Sequence, residues 1–168
     1  MKQFYLKQKV LSVRDSYTIY DEKDQPVYTG KARMFTIGKK IDMYAADTED
    51  IIYTLNRKLF SFLPAYTLND KEGREIAKMK QQFSMRNKKI DIEGVHGEFH
   101  VKGSLWAFDF EFYKADKKVV DVNKKRLSWG DTYEITIHED ENAEFYLALV
   151  LMIDCMFHSR KSSRRSIR

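Results

Sequence analysis

Two histidines separated by three residues are the first candidates for chemistry, because they could bind a metal. The segment reads His96-Gly97-Glu98-Phe99-His100. The zinc-hydrolase motif H-E-x-x-H needs a glutamate directly after the first histidine and a helix that brings both rings together. Here the surroundings alternate like a strand after a turn, and strand residues four apart lie about 13 Å from each other. We therefore predict no metal site and no cofactor.

Two carboxylates, Asp109 and Glu111, have the spacing of an acid pair for glycoside chemistry. Side chains two apart on a strand share one face at about 7 Å, which lies within the range of glycosidase carboxyl pairs. Both acids, however, alternate with Phe108, Phe110 and Phe112. That alternation is typical of a half-buried strand, so we predict an ordinary solvated face and no catalytic residue.

The segment near the C-terminus contains two further reactive side chains. Cys155 and His158 lie three residues apart, as a nucleophile and a base could on one helix face. No third group that would orient the histidine is evident, and the apolar neighbours of Cys155 indicate a small core residue.

Asp154 lies in the same apolar segment. An unpaired buried carboxylate costs several kcal/mol, so we predict a buried structural acid, paired with strand backbone or a basic group at a barrel mouth. A titrating or ligand-binding acid is the alternative.

The last ten residues carry the charge asymmetry of the chain. Five basic residues and no acid occur there, namely Arg160, Lys161, Arg164, Arg165 and Arg168. The remaining chain has 25 basic residues (30 minus these 5) and 25 acidic ones. A neutral domain disfavours a groove for nucleic acid. The simplest interpretation of residues 159–168 is a flexible solubilising tail. The alternative is contact with an anionic membrane or another polyanion, where each cation contributes about 1 kcal/mol.

The elements that must position these residues are mostly strands. Apolar and polar residues alternate with period two through most of Val10 to His138, and polar turn clusters interrupt them every 8–15 residues or so. We predict about a dozen strands in an antiparallel barrel or sandwich. Four basic clusters are predicted to be solvated edges and turns: Lys78–Lys80, Arg86–Lys89, Lys114–Lys118 and Lys124–Arg126.

The pattern changes to a helix near the end of the chain. Phe145 to Ile153 are nine consecutive apolar residues, and a helix that is apolar on every side must be surrounded. We predict a helix over about 142–158, with Asp140 or Asn142 as its N-cap. About 13 apolar residues are too few to span a membrane, which needs about 20. The helix would therefore fill the interior of a closed sheet.

Several stretches, in this order, resemble one protein family. They are Phe4–Lys9, Tyr17–Glu22 with Val27-Tyr28, Leu59–Leu68, and Trp129–Ile135 followed by the apolar helix with Ile153-Asp154. The chain resembles the LURP-one-related (LOR) proteins, which share the Tubby C-terminal-like fold with phospholipid scramblases. The resemblance implies a mainly β domain over residues 1–158. Its closed antiparallel barrel of about twelve strands would enclose the central apolar C-terminal helix.

The resemblance says less about function. Tubby domains bind phosphoinositide headgroups, and scramblases have been linked to lipid movement and calcium. The chain has neither the Pro- and Cys-rich N-terminal region of scramblases nor an EF-hand pattern, so lipid scrambling is not carried over. We predict a non-enzymatic binding or scaffold module. Its expected partner is an anionic phospholipid surface or an unknown protein, and not nucleic acid.

The alternative function is a small-ligand-binding protein or an enzyme that uses a cleft at a barrel mouth. A helix inside the barrel leaves little room for a ligand. A polar cavity of several hundred Å3 with convergent Asp, His or Tyr groups would favour this alternative.

Composition predicts a cytoplasmic protein. The single cysteine is typical of a reducing compartment. Lysines interrupt Met1 to Val13, so no signal peptide is expected there.

Overall fold

The computed structural model describes residues 1–9, 16–82, 89–126, 131–139 and 142–158. These contain twelve strands and one helix. The elements are β1 (Lys2–Lys9), β2 (Ser16–Tyr20), β3 (Pro26–Ala32), β4 (Lys40–Ala45), β5 (Ile51–Arg57), β6 (Ala65–Asp70), β7 (Glu75–Gln81), β8 (Ile90–Gly94), β9 (Gly97–Ser104), β10 (Asp109–Lys114), β11 (Lys117–Arg126), β12 (Asp131–Ile137) and α1 (Ala143–His158).

The strands form one closed antiparallel barrel. Each strand pairs with the next along the chain, and β1 closes the ring by pairing with β12, where Lys2 lies opposite Ile137. The predicted closed barrel of about twelve strands is confirmed. Since a closed ring has no edge strand, the interpretation of Lys78–Lys80 as an edge is wrong. These residues lie within β7, which pairs with both β6 and β8.

Helix α1 runs through the interior of the barrel. Every residue from Phe145 to Phe157 is buried, and the exposed fraction is 0% from Phe145 to Cys155. The carbonyl of Asn142 accepts the backbone N–H groups of Phe145 and Tyr146, so the predicted helix start is confirmed. No helix among the described residues is long and apolar enough to cross a bilayer.

One of the three alternating phenylalanines departs from the predicted strand. Phe108 precedes β10, in the turn of residues 105–108, with a φ of 52°. Its ring is buried and stacks on Tyr133, with 3.9 Å between the ring centroids. Residue 108 is therefore apolar because it packs against Tyr133, and not because it belongs to the strand.

The antiparallel ring has two ends, and each lies next to one end of the helix. The amino mouth consists of the turns 21–25, 46–50, 71–74, 95–96 and 115–116, on the side of Ala143. The carboxyl mouth consists of the loops 33–39, 58–64 and 105–108. There the Trp106 ring packs edge-on against Phe157 near the helix end, at 5.3 Å between centroids.

Candidate functional site

Exposed apolar side chains are concentrated at the carboxyl mouth. Phe35, Phe60 and Phe62 are 99%, 102% and 99% exposed, and Ile37 is 86% exposed. Among the described residues nine large apolar side chains are exposed, and seven of them belong to the three carboxyl-mouth loops. The remaining three of these seven side chains are Met34, Leu59 and Trp106. Such clustering on a folded protein marks an interaction surface.

The two loops that carry most of these side chains support each other. A Cβ placed on Gly38 would lie 2.9 Å from Leu59 Cδ2, so loop 33–39 packs directly against loop 58–64. The Thr36 hydroxyl donates to the Gly38 carbonyl at 2.8 Å. Phe35 has a φ of 57°, a conformation that costs a bulky residue of the order of 1–3 kcal/mol. The loop thus holds a strained backbone while its aromatic ring stays in solvent.

An ion pair fixes the base of loop 33–39. The Arg33 guanidinium donates to both Asp42 oxygens, at 2.5 and 2.8 Å, and the Thr54 hydroxyl donates to the same carboxylate at 2.8 Å. Asp42 is only 3% exposed. The hydrogen bond to Asp42 raises the pKa of Arg33 above its ordinary value, so the guanidinium stays charged. The loop therefore projects from a rigid base.

The described loops of the carboxyl mouth carry charge of one sign. Its three described loops contain Arg33, Lys39 and Lys58 and no acidic residue. Apolar side chains beside cations also occur together in helices that lie at the interface of anionic bilayers.

The amino mouth has acidic turns and two adjoining cavities. Its turns contain eight acidic and three basic residues. The cavities, of about 310 and 500 Å3, share Tyr28 and Glu144. Tyr53 and Lys2 also line the smaller cavity, and Asp47 lines the larger. Burial, followed by the negative charge of Glu144, raises the pKa of Tyr28 to about 12. The hydroxyl is therefore neutral at physiological pH, beside a carboxylate.

The predicted structural acid and its neighbour lie inside the barrel. Asp154 is 0% exposed, which confirms its burial, while its pairing stays a prediction. Cys155 is also 0% exposed, and its Sγ lies 3.8 Å from the Tyr17 hydroxyl. This burial confirms the interpretation of Cys155 as a core residue.

The sequence candidates on the strands do not converge. His96 lies in turn 95–96 with its ring against Phe145, at 4.7 Å between centroids, and His100 lies exposed on β9. Glu111 accepts hydrogen bonds from Tyr113 and Lys118 on the outer surface. The solvated face that we predicted for β10 is confirmed.

The basic tail residues lie outside the described residues. They are Arg160, Lys161, Arg164, Arg165 and Arg168, and their role stays a prediction. In the sequence they follow directly on the carboxyl-mouth end of α1.

Sequence reasoning missed the apolar loops of the carboxyl mouth. Phe60 and Phe62 have the spacing of a strand, and that spacing does not distinguish a buried face from an exposed loop. A usable signal was nevertheless present. Gly38 and Pro64 mark both segments as loops, and residues 33–40 and 57–64 contain five cations and no acid.

Comparison with known proteins places the barrel in a family. The LURP-one-related family matches residues 2–154 of the chain. The protein belongs to the LURP-one-related family. The chain is also similar to uncharacterized protein YxjI of Bacillus subtilis (strain 168), with 26% identity over 159 residues. The match covers 95% of this chain and 96% of that protein. The relationship thus extends over nearly the whole barrel and most of its helix.

Proposed function

We propose that the protein is a non-enzymatic module that docks on anionic phospholipid surfaces through its carboxyl mouth. The observation that carries this proposal is the exposure of Phe35, Ile37, Phe60 and Phe62 on two packed loops that bear cations and no acid. The loops would enter the interface of the bilayer, while the barrel stays outside it.

The energetics favour a bilayer as the partner of this surface. Full burial of one Phe or Ile side chain contributes about 1.5–3 kcal/mol, and each cation near an anionic surface contributes about 1 kcal/mol. Stable peripheral binding needs two such signals together. The carboxyl mouth provides both on one face. The acidic turns of the opposite mouth would be repelled by the same surface, so the protein would bind in one orientation.

Vesicle sedimentation tests this proposal. Full-length protein should pellet with phosphatidylcholine vesicles that contain 20–30% phosphatidylserine, and increasing salt should weaken binding because it screens the cationic contribution. The variant Phe35→Ser/Phe60→Ser/Phe62→Ser should lose at least about 100-fold in affinity, since about 1.4 kcal/mol corresponds to a factor of ten. Its thermal stability should be unchanged, because the replaced rings are exposed.

Two further variants locate the docking surface. Val95→Ser removes an exposed apolar residue from the amino mouth and should bind vesicles like the parent. Replacing all five tail cations by Gln measures the contribution of residues 159–168 separately. Vesicle binding by the triple loop variant at the parental level would overturn the proposal.

The cavities of the amino mouth support a second candidate, a site for a small organic cation. Tyr28, Tyr53 and Glu144 combine aromatic rings with a carboxylate, and aromatic faces attract ammonium groups. The Lys2 side chain that lines the same cavity would have to move aside or contact another part of the ligand.

An NMR titration with tetramethylammonium chloride tests the second candidate. Saturable shifts of the Tyr28 and Tyr53 ring signals are expected in the parent and not in Glu144→Gln. Asp116→Asn, a change in another amino-mouth turn, should leave the titration intact. Equal, non-saturating shifts in all three proteins would exclude the site.

A further inference from the structure

A cavity of about 350 Å3 lies on the outer rim of the carboxyl mouth. Three lysines line it, Lys58, Lys78 and Lys80, together with the exposed ring of Phe60. The lysines had looked like ordinary surface charges in the sequence. In the barrel they surround one space, next to a side chain that the docking proposal inserts into the bilayer.

The strand register explains why these lysines converge. Lys58 directly follows β5, and its N–H donates to the Ala65 carbonyl in β6. On the other side of Ala65, β7 places Lys80 opposite it. Neighbouring strands lie about 4.8 Å apart, so the Lys58 and Lys80 backbones lie about 10 Å apart across β6. Ala65 is small and forms the floor between them, which leaves room for an anion.

The lysines retain most of their capacity to bind an anion. Within the described part of the chain, neither Lys78 nor Lys80 makes an ion pair within 4.0 Å. Lys58 Nζ lies 3.6 Å from Glu75, but both side chains are almost half exposed, and such pairs contribute little.

Two acids of β8 lie beside these lysines. They are Glu93 opposite Lys78 and Asp91 opposite Lys80. Asp91 accepts a hydrogen bond from the Gln82 side-chain amide, so its carboxylate already has a polar partner. Three lysines therefore surround the cavity, and of the two acids beside them Asp91 already accepts a hydrogen bond.

We propose that Lys58, Lys78 and Lys80 form a binding site for the phosphomonoester group of a lipid headgroup. The inference rests on the proposed function, because Phe60 would hold the lipid next to the cavity. A phosphomonoester carries between 1.5 and 2 negative charges at pH 7 and three acceptor oxygens. A phosphodiester headgroup carries only one charge on its phosphate. Three flexible lysine side chains, each with three donors, can surround the more highly charged group.

The experiment compares two vesicle types of matched surface charge. One contains phosphatidylcholine with phosphatidic acid, and the other contains phosphatidylcholine with phosphatidylserine. The full-length protein should bind the phosphatidic acid vesicles at least about fivefold more tightly, since one added cation–anion contact near the surface contributes about that factor. Lys58→Gln/Lys78→Gln/Lys80→Gln should remove that preference and retain binding to phosphatidylserine through the loops.

A matched control keeps the effect of net charge separate. Lys23→Gln/Lys71→Gln/Lys114→Gln removes three exposed lysines at or beside the amino mouth and should keep the preference for phosphatidic acid. Parent protein that binds both vesicle types equally would overturn the phosphate site and leave the docking surface standing. Absence of binding to either type would overturn the docking proposal itself. Tight binding of glycerol 3-phosphate without vesicles would assign the cavity to a soluble phosphate ester and overturn the lipid source.

Discussion

The two mouths of the barrel are built by the same twelve strands and, in the described turns and loops, differ in charge and in exposed apolar side chains. The amino-mouth turns carry eight acids, three bases and one exposed large apolar side chain, Val95. The described carboxyl-mouth loops carry three bases, no acid and seven exposed apolar side chains. Because both ends share one scaffold, the difference lies in the loop sequences and not in the fold.

The partial charges at the two ends of the central helix have the opposite sign to the charges of the mouths beside them. The helix N-terminus, with a partial positive charge, lies at the acidic mouth, and its C-terminus, with a partial negative charge, lies at the basic mouth. The charges of each mouth thus complement the helix end beside it. The opposite side-chain charges of the two mouths would orient the barrel as it approaches an anionic surface.

The largest difference between the two ends is expected for two glycines of β9. Gly97 and Gly103 lie at opposite ends of the strand, with φ values of 110° and 108°. A Cβ on Gly103 would overlap the Asp109 carbonyl and lie 2.8 Å from Phe110 Cα, whereas one on Gly97 meets only the flexible Lys114 side chain at 3.2 Å. Gly103→Ala should lower the free energy of unfolding by about 4 kcal/mol and Gly97→Ala by about 2 kcal/mol.

Urea denaturation of both glycine variants measures this difference. If only the strain in φ mattered, both variants would lose similar free energy of unfolding. Equal losses would show that the backbone beside Gly103 can shift to make room for the added Cβ.

An intermediate difference is expected for two tyrosines that attach the helix to the barrel. Near the amino mouth the Tyr146 hydroxyl donates to Glu139 at 2.7 Å, and near the carboxyl mouth the Tyr66 hydroxyl donates to the Cys155 carbonyl at 3.1 Å. Hydrogen bonds to charged groups contribute about 1.5–3 kcal/mol and neutral ones about 0.5–1.5 kcal/mol. Tyr146→Phe should therefore lower the thermal midpoint more than Tyr66→Phe does. The reverse order would locate the firmer attachment at the carboxyl mouth.

The smallest difference is expected in the response to acid. The hydrogen bond from Tyr146 is the main cause that lowers the pKa of Glu139, although burial opposes it. A carboxyl group with a lowered folded-state pKa stabilises the protein above its unfolded-state value, about 4.3, and that stability is lost as the pH falls through the folded-state value. At pH 7 the parent should be about 1 kcal/mol more stable than Glu139→Gln, and the gap should close in acid.

Thermal melts between pH 7 and pH 3 measure that gap. Phe62→Ser changes no titratable group at the carboxyl mouth, so its difference from the parent should not depend on pH. A constant gap for Glu139→Gln would show that the Tyr146–Glu139 hydrogen bond does not depend on the charge of the carboxylate.

Most of the barrel could be predicted from the sequence because its strands have one solvated face. Ile90 and Ile92, or Tyr133 and Ile135, alternate with polar residues, and the structure buries each of them. The helix was predictable for a different reason. Nine consecutive apolar residues cover every side of a helix, so the surrounding sheet follows from their burial.

The candidate site was less predictable because it depends on contacts between loops. The period-two pattern places Phe60 and Phe62 on the same face of an extended segment, but it does not show whether other residues cover that face. The convergence of Lys58 with Lys80 depends on the register of three strands, which no local pattern contains. Periodicity alone left a sandwich open, and closure of the ring was predicted from the burial of the apolar helix and from the family resemblance.

The position of α1 after all twelve strands limits the order in which the protein can fold. Strands β1 to β12 precede the helix in synthesis, and the residues they bury face a space that only α1 fills. The barrel has no complete core until that last segment is present, and Lys2 must also meet Ile137 to close the ring. Folding of such a non-local topology is slow. Assembly of the barrel around its core therefore waits until α1 has been synthesised.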